Sequence, residues 1–287
     1  MMVSYAQNGE DVLLERAFAG RETGFYVDIG ANHPVVCSVT KHFYERGWRG
    51  INVEPASVFE RLADERPRDI NLNMALSDAP GTLTFYEFSG ADALSTLSTM
   101  EAENHRRAGR ECVERLVGVR TLASVCEEFV TGPIDFLSVD VEGHERQVLE
   151  GGDWSRWRPR VVLVEATRPN TTIPTHAEWE HILLDAEYLF AQFDGLNRYY
   201  VRAEDRPLVE VLRVPVNVFD GAVPYLYLHQ IETAHCELEQ LREKLTLIEQ
   251  FCPWSYRLAQ RLERLSTRFP RVSSTFQGMV NKTLRAA

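Results

Sequence analysis

The chain is 287 residues long, 44% hydrophobic and 25% charged, enough to bury one full core and a small appendage. Its net charge is −11, but after Pro253 seven basic residues (Arg257, Arg261, Arg264, Arg268, Arg271, Lys282, Arg285) face the single acid Glu263, a net of +6, so residues 1–252 carry −17. So acidic a body is a poor nucleic-acid binder, because phosphates need clustered basic groups. No run of about 18 apolar residues suggests a membrane span, and the polar first ten residues lack a signal-peptide pattern. The five cysteines, Cys37, Cys112, Cys126, Cys236 and Cys252, form no paired spacing, which predicts reduced thiols in a cytoplasmic protein.

The first predicted strand, Phe25-Tyr26-Val27-Asp28-Ile29, ends at the turn Gly30-Ala31-Asn32. A helix is expected over 35–46, and a second strand, Gly50-Ile51-Asn52-Val53, then ends in Glu54. A strand, a glycine turn, a helix and a strand with a terminal acid make up a nucleoside-binding βαβ half. Gly30 lets the backbone pass close to a ligand, and Glu54 sits where two ribose hydroxyls can each donate to one carboxylate oxygen. A dinucleotide fold wants three glycines beneath its pyrophosphate, whereas Ala31, Asn32, His33 and Pro34 follow Gly30 here. S-adenosylmethionine has no phosphate, carries a sulfonium cation and tolerates Asp28 beside its methionyl end, so it fits better. A structural βαβ unit with chance acids at its strand tips is the plain alternative.

Further strands are expected at 69–75, 81–88, 134–141, 160–165 and 188–193, and helices at 57–65, 122–129, 144–149 and 176–185. This alternation implies an α/β, Rossmann-like fold with a mostly parallel sheet covered on both faces. Residues 89–118 read as a long polar insert, either a lid over a site or a disordered loop. The central strand runs into Asp140-Val141-Glu142-Gly143-His144-Glu145, at the sheet edge that carries the ligand crevice in open α/β folds. Helix-dipole capping accounts for Glu145 but less well for Asp140, which precedes the helix. The next strand ends in Glu165, so Asp140 and Glu165, at adjacent tips, can share a divalent cation such as Mg²⁺ or flank an acceptor.

With these motifs in order, the chain resembles the FkbM-type O-methyltransferases, a branch of the S-adenosylmethionine-dependent class I fold. Ser4-Tyr5-Ala6-Gln7-Asn8-Gly9-Glu10-Asp11 is similar to that family's opening motif, and Val27-Asp28-Ile29-Gly30-Ala31-Asn32 to its donor-binding turn. Asn73-Met74-Ala75-Leu76-Ser77-Asp78, followed by Gly81, is similar to its third-strand segment. The strongest match is the run from Asp135 to Glu145, with Leu149-Glu150-Gly151 downstream; Asp194-Gly195-Leu196-Asn197-Arg198-Tyr199-Tyr200-Val201 resembles the closing segment. The likeness spans about residues 4–220 and departs at His33-Pro34, where smaller or hydroxylated residues are more usual.

The resemblance implies methyl transfer to a hydroxyl, often on a sugar of a glycan or glycosylated natural product. It implies donor contacts from Gln7, Glu10, Asp28, Gly30, Ala31, Asn32, Glu54, Asn73, Ala75 and Ser77, and chemistry from Asp140, Glu142 and His144. An unactivated hydroxyl must lose its proton as the bond forms. Asp140, Glu142, His144 or Glu165 can take it, His144 having the most nearly neutral pKa, or Mg²⁺ held by Asp140 and Glu165 can lower the hydroxyl's own pKa. The rival readings are a nicotinamide-dependent oxidoreductase on the same fold and a non-catalytic oligomerising scaffold.

Residues 1–224 are therefore expected to form the methyltransferase domain and 225–287 a helical extension. Ile231, Leu238, Leu245 and Cys252 recur at sevens, interleaved with Ala234, Leu241 and Ile248, a short coiled-coil seam able to join two chains over 231–252. After Pro253, Leu258, Leu262, Leu265 and Phe269 lie on one helical face, with Arg257, Arg261, Arg264 and Arg268 elsewhere. Such a basic amphipathic segment suits an anionic membrane surface or an acidic partner, or docks on the acidic body.

Overall fold

A computed structural model describes residues 2–88 and 94–251, together with Arg257, Gln260, Arg261 and Arg264. Apart from those four residues, the expected basic helix after Pro253 lies outside the described residues, as does the last heptad position, Cys252. The chain opens with β1 (Met2–Ser4), α1 (Glu10–Ala17), β2 (Phe25–Ile29), α2 (Lys41–Glu45), β3 (Arg49–Val53), α3 (Phe59–Glu65) and β4 (Ile70–Leu72). Then come β5 (Ala75–Leu76), β6 (Gly81–Phe88), α4 (Thr99–Arg107), β7 (Cys112–Arg120), α5 (Leu122–Phe129), β8 (Phe136–Val139), α6 (Glu145–Glu150) and β9 (Val161–Glu165). The last elements are α7 (Glu180–Asp185), β10 (Tyr188–Phe193), β11 (Asn197–Arg202), α8 (Pro207–Leu212), β12 (Ala222–Pro224) and α9 (Tyr225–Phe251).

Seven strands form the central sheet in the order β10-β11-β9-β8-β2-β3-β4. The five from β9 to β4 pair in parallel, and β11 and β10 close one edge antiparallel. The strands are apolar on both faces because both are covered, and their period of two divides the core. Val27, Ile29, Leu137, Val139, Val162 and Val164 pack with Val125, Val148 and Leu183 of α5, α6 and α7. Tyr26, Phe136, Val161 and Leu163 turn the other way, onto Leu13, Leu14, Phe43 and Leu212 of α1, α2 and α8.

The chain lays β3 and β4 on one side of β2, then returns to lay β8 and β9 on the other. Beside β2 the strand order therefore reverses, and the carboxyl ends of β2, β3 and β8 splay around a crevice.

The insert, read as a lid or a disordered loop, carries regular structure over its described residues. Residues 94–118 contribute α4 and most of β7, which pairs antiparallel with β6 from Gly81 opposite Val119 to Phe88 opposite Cys112. The strand is hard to read because neither face is well covered: Val113 and Leu116 are 55% and 77% exposed, each beside one charged residue, Glu114 and Arg115. The helix expected over 35–46 starts only at Lys41.

The chain divides into two units, Met1–Leu226 and Tyr227–Ala287. Among the described residues no helix is long and apolar enough to cross a membrane, and Cys37, Cys112, Cys126 and Cys236 are free thiols.

Candidate active site

The turn after β2 is forced to carry glycine. Gly30 has φ +82°, and a Cβ there would lie 1.7 Å from the carbonyl oxygen of Asp140. That approach exists because β2 and β8 are neighbours whose tips interlock: the Asp140 amide donates to the Ile29 carbonyl at 3.0 Å and the Gly30 amide to the Val53 carbonyl at 2.9 Å. Gly30 thus joins the tips of β2, β3 and β8 at one point. Asn32 follows in the left-handed region at φ +49°.

Around this point lies a cavity lined by Gln7, Asp28, Gly30, Ala31, Asn32, Glu54, Ala75, Asp140 and Glu142, all singled out in the sequence. Met74, Leu76, Phe85, Ser95, Leu97 and Ser138 also line it, and sequence reasoning missed them. The first three supply an apolar wall, as an adenine ring requires.

Glu54 is 5% exposed, and each of its oxygens already accepts one backbone amide, Oε2 from Asn32 at 2.8 Å and Oε1 from Ala56 at 2.7 Å. A carboxylate oxygen has two acceptor sites, so one stays open on each side. Burial nevertheless pushes its pKa up to about 7, against these two amides. Asp28 is likewise pushed up to about 6 by burial, with the Thr40 hydroxyl donating to its Oδ2 at 2.9 Å.

The loop between β2 and α2 is anchored from beneath. Arg66, fully buried, donates through Nη2 to the Pro34 carbonyl at 2.6 Å and to Ser38 Oγ at 3.0 Å. His33 Nδ1 accepts the amides of Val35 at 3.0 Å and Val36 at 2.9 Å. The unusual His33-Pro34 pair therefore shapes the loop by its own hydrogen bonds.

At the tip of β8, Glu142 and Gly143 are both left-handed, at φ +53° and +94°. Glu145 Oε1 accepts the amides of Gly143 at 2.9 Å and Val141 at 3.3 Å, closing this turn from below. It is a turn-holding acid, as dipole capping anticipated. From above, the Thr96 hydroxyl donates to the Glu142 carbonyl at 2.7 Å. The turn presents Asp140 and Glu142 toward Glu165 of β9, with one oxygen of each within 4.8 Å of the others. Asp140 Oδ1, Glu142 Oε2 and Glu165 Oε2 are buried and have no hydrogen-bond partner. Burial raises all three pKa values, and mutual repulsion raises Glu142 and Glu165 further. The three carboxyls therefore titrate as a coupled group that favours holding protons.

The β6–β7 hairpin roofs the cavity. Arg115 donates to the Pro55 carbonyl at 2.8 Å and pairs with Glu87 at 2.8 Å, while Glu87 accepts the Ser57 amide at 2.7 Å. These ties fasten the roof to the loop after Glu54.

Five residues expected at the site do not line the cavity; one of them, Glu165, lies behind Asp140 and Glu142. Glu10 is buried against Asn197 Nδ2 at 2.7 Å and the Asn8 amide at 2.7 Å, tying the first helix to β11. Asn73 Nδ2 donates to the Glu54 carbonyl at 3.2 Å, and so positions Glu54 through its backbone. Ser77 Oγ lies 3.0 Å from His144 Nε2 and donates to Asp78 at 2.9 Å. Burial lowers the pKa of His144 and leaves it neutral near pH 7, engaged with Ser77 and off the cavity wall.

The arrangement is a cavity with buried Glu54 at one end and the carboxylates of Asp140 and Glu142 at the other. Comparison with known proteins agrees. The Methyltransferase FkbM domain matches residues 28–190. A curated relative, Methyltransferase sdnD of Sordaria araneosa, is 30% identical over 182 residues, 52% of this chain and 69% of the relative.

Proposed function

The chain belongs to the FkbM methyltransferase family, and we propose that it is an S-adenosylmethionine-dependent O-methyltransferase acting on a hydroxyl of a sugar-containing acceptor. The observation that carries this reading is Gly30 joining the Glu54 end of one cavity to the Asp140 end. Glu54 would hold the two ribose hydroxyls, Met74, Leu76 and Phe85 the adenine, and Asp28 and Gln7 the polar methionyl end. When bound, the donor supplies a methyl already activated by its sulfonium, so the protein's share is largely positioning.

The residues must also take a proton from the acceptor hydroxyl. Asp140 and Glu142 face the cavity and have free oxygens, whereas His144 is held by Ser77. Asp140 is therefore the proposed base, beside Glu142 and Glu165, whose pKa values burial and mutual repulsion raise. A second chemistry fits the same atoms: three hard carboxylate oxygens match Mg²⁺, which Asp140, Glu142 and Glu165 would hold and which would lower the hydroxyl's pKa. Full turnover in EDTA selects the base mechanism; loss of turnover restored by Mg²⁺ selects the cation.

The test of the reading is incubation with methyl-labelled S-adenosylmethionine and glycan or glycoside acceptors. Label in an alkali-stable ether on a sugar supports it. Label lost to mild alkali as an ester, or found on nitrogen, contradicts the O-methyl ether assignment.

A further inference from the structure

The helix α9 carries apolar side chains in solvent: Ile231, Leu238, Leu241 and Leu245 are 66%, 53%, 56% and 50% exposed. Ile231, Leu238 and Leu245 repeat at sevens, with Ala234 and Leu241 three residues after the first two. This is a 3.5-residue period, which stays on one side only of a helix that supercoils around another. A helix lying on a globular body needs a broader stripe, with apolar residues at a flanking e or g position as well. Here those flanks are His235, Glu237, Arg242 and Lys244. The seam is narrow and has charged edges.

The edge charges also select an orientation. In a parallel pair in register, a g residue faces the e residue five positions further along the other helix. Glu237 then meets Arg242 of the second copy, and symmetry makes the contact twice. Among the described residues Glu237 and Arg242 make no ion pair within their own chain; the pair on this stretch joins His235 to Glu239 at 3.4 Å. An antiparallel pair sets e against e, bringing Arg242 against Arg242 or His235.

We propose that α9 binds a second copy of this chain as a parallel, in-register coiled coil, with Ile231, Leu238 and Leu245 at a and Ala234 and Leu241 at d. This inference is independent of the proposed reaction.

The first test is light scattering of the full chain at micromolar concentration, beside the double variant Leu238→Glu and Leu241→Glu. Both positions are exposed in the single chain, so these changes leave its own fold in place. The expected result is a mass of at least two chains, falling to one in the double variant with an unchanged melting temperature at high dilution. A wild type of one chain overturns the proposal, as does an assembly that survives the double variant. The second test fixes direction: Leu238→Cys is oxidised with diamide in a Cys236→Ser, Cys252→Ser background. A parallel in-register seam cross-links this variant with itself at least tenfold faster than a matched Leu247→Cys control. Equal rates overturn it, and so does a Leu238→Cys protein that cross-links only when mixed with a Leu241→Cys protein.

Discussion

The hydroxyl of Thr96 donates to the carbonyl of Glu142 at 2.7 Å, so the roof hairpin grips the strand tip that carries the carboxylate triad. Thr96 is 1% exposed, and its backbone pairs with Tyr86 in both directions, at 2.9 and 3.1 Å. Its oxygen also accepts the Ser98 amide at 2.8 Å. The grip matters because Glu142 is a non-glycine residue in the left-handed region, a conformation that surrounding contacts must hold.

Thr96→Val removes that donor while keeping the shape. It leaves the Glu142 carbonyl and the Ser98 amide without a partner, at a cost of roughly 1–3 kcal/mol each for a buried group. Urea unfolding should therefore show a loss of at least ~1 kcal/mol in Thr96→Val and little change in Thr96→Ser. Equal stability of all three proteins would mean the hydrogen bond does not hold the turn.

Gly30→Ala should abolish donor binding. The new Cβ would lie 1.7 Å from the Asp140 carbonyl at a backbone angle of φ +82°, so the interlocked tips must part. Gly20 has a similar φ, +80°, with nothing within 4 Å, so Gly20→Ala carries the backbone strain without the clash. A Gly30→Ala protein that binds the donor as well as Gly20→Ala does would remove Gly30 from the account.

Glu54 makes donor binding depend on pH. Burial raises its pKa from 4.5 to about 7, and hydroxyl donors favour the ionised form. Donor affinity should rise as pH goes from 6 to 8, with proton release near pH 7 that calorimetry detects by comparing buffers of different ionisation enthalpy. The same shift acts on the free protein with the opposite sense. A raised carboxyl favours folding most below its unfolded value and loses that contribution as pH rises through about 7. Glu54→Gln should flatten both slopes; unchanged slopes would assign the titration elsewhere.

The sequence made the floor of the site legible and hid its roof. Asp28, Gly30, Glu54, Asp140 and Glu165 stand at the ends of buried strands whose apolar runs are unmistakable. Glu142 could be read because it follows such a strand directly. Ser95, Leu97 and Phe85 belong to a hairpin whose outer face is exposed and charged, so the local pattern carries little burial signal. Arg66 was missed for a different reason: at the end of α3 it reads as a solvated helix charge, and only the fold brings the Pro34 carbonyl to it. His144 shows the converse, since its place in a dense acidic motif suggested chemistry while the fold sets its Nε2 3.0 Å from Ser77 Oγ and off the cavity wall.

Asp140→Asn separates binding from chemistry. It keeps the side chain's size and one acceptor oxygen but loses the charge that a base or a cation ligand needs. The variant should bind the donor within about threefold of wild type while label transfer falls by 10²-fold or more, in the range usual for a lost general base. A folded variant with near wild-type transfer would exclude Asp140 from the reaction.

The central claim is that the cavity between Glu54 and Asp140 holds S-adenosylmethionine, and calorimetric titration of that donor into wild type and Glu54→Gln tests it most directly. The account predicts saturable binding at one site in the wild type and at least tenfold weaker binding in the variant, about 1.4 kcal/mol for one charge-assisted hydrogen bond. It also predicts no heat from NAD at the same concentrations. No binding of S-adenosylmethionine, equal affinity in the two proteins, or displacement of the donor by NAD would contradict it.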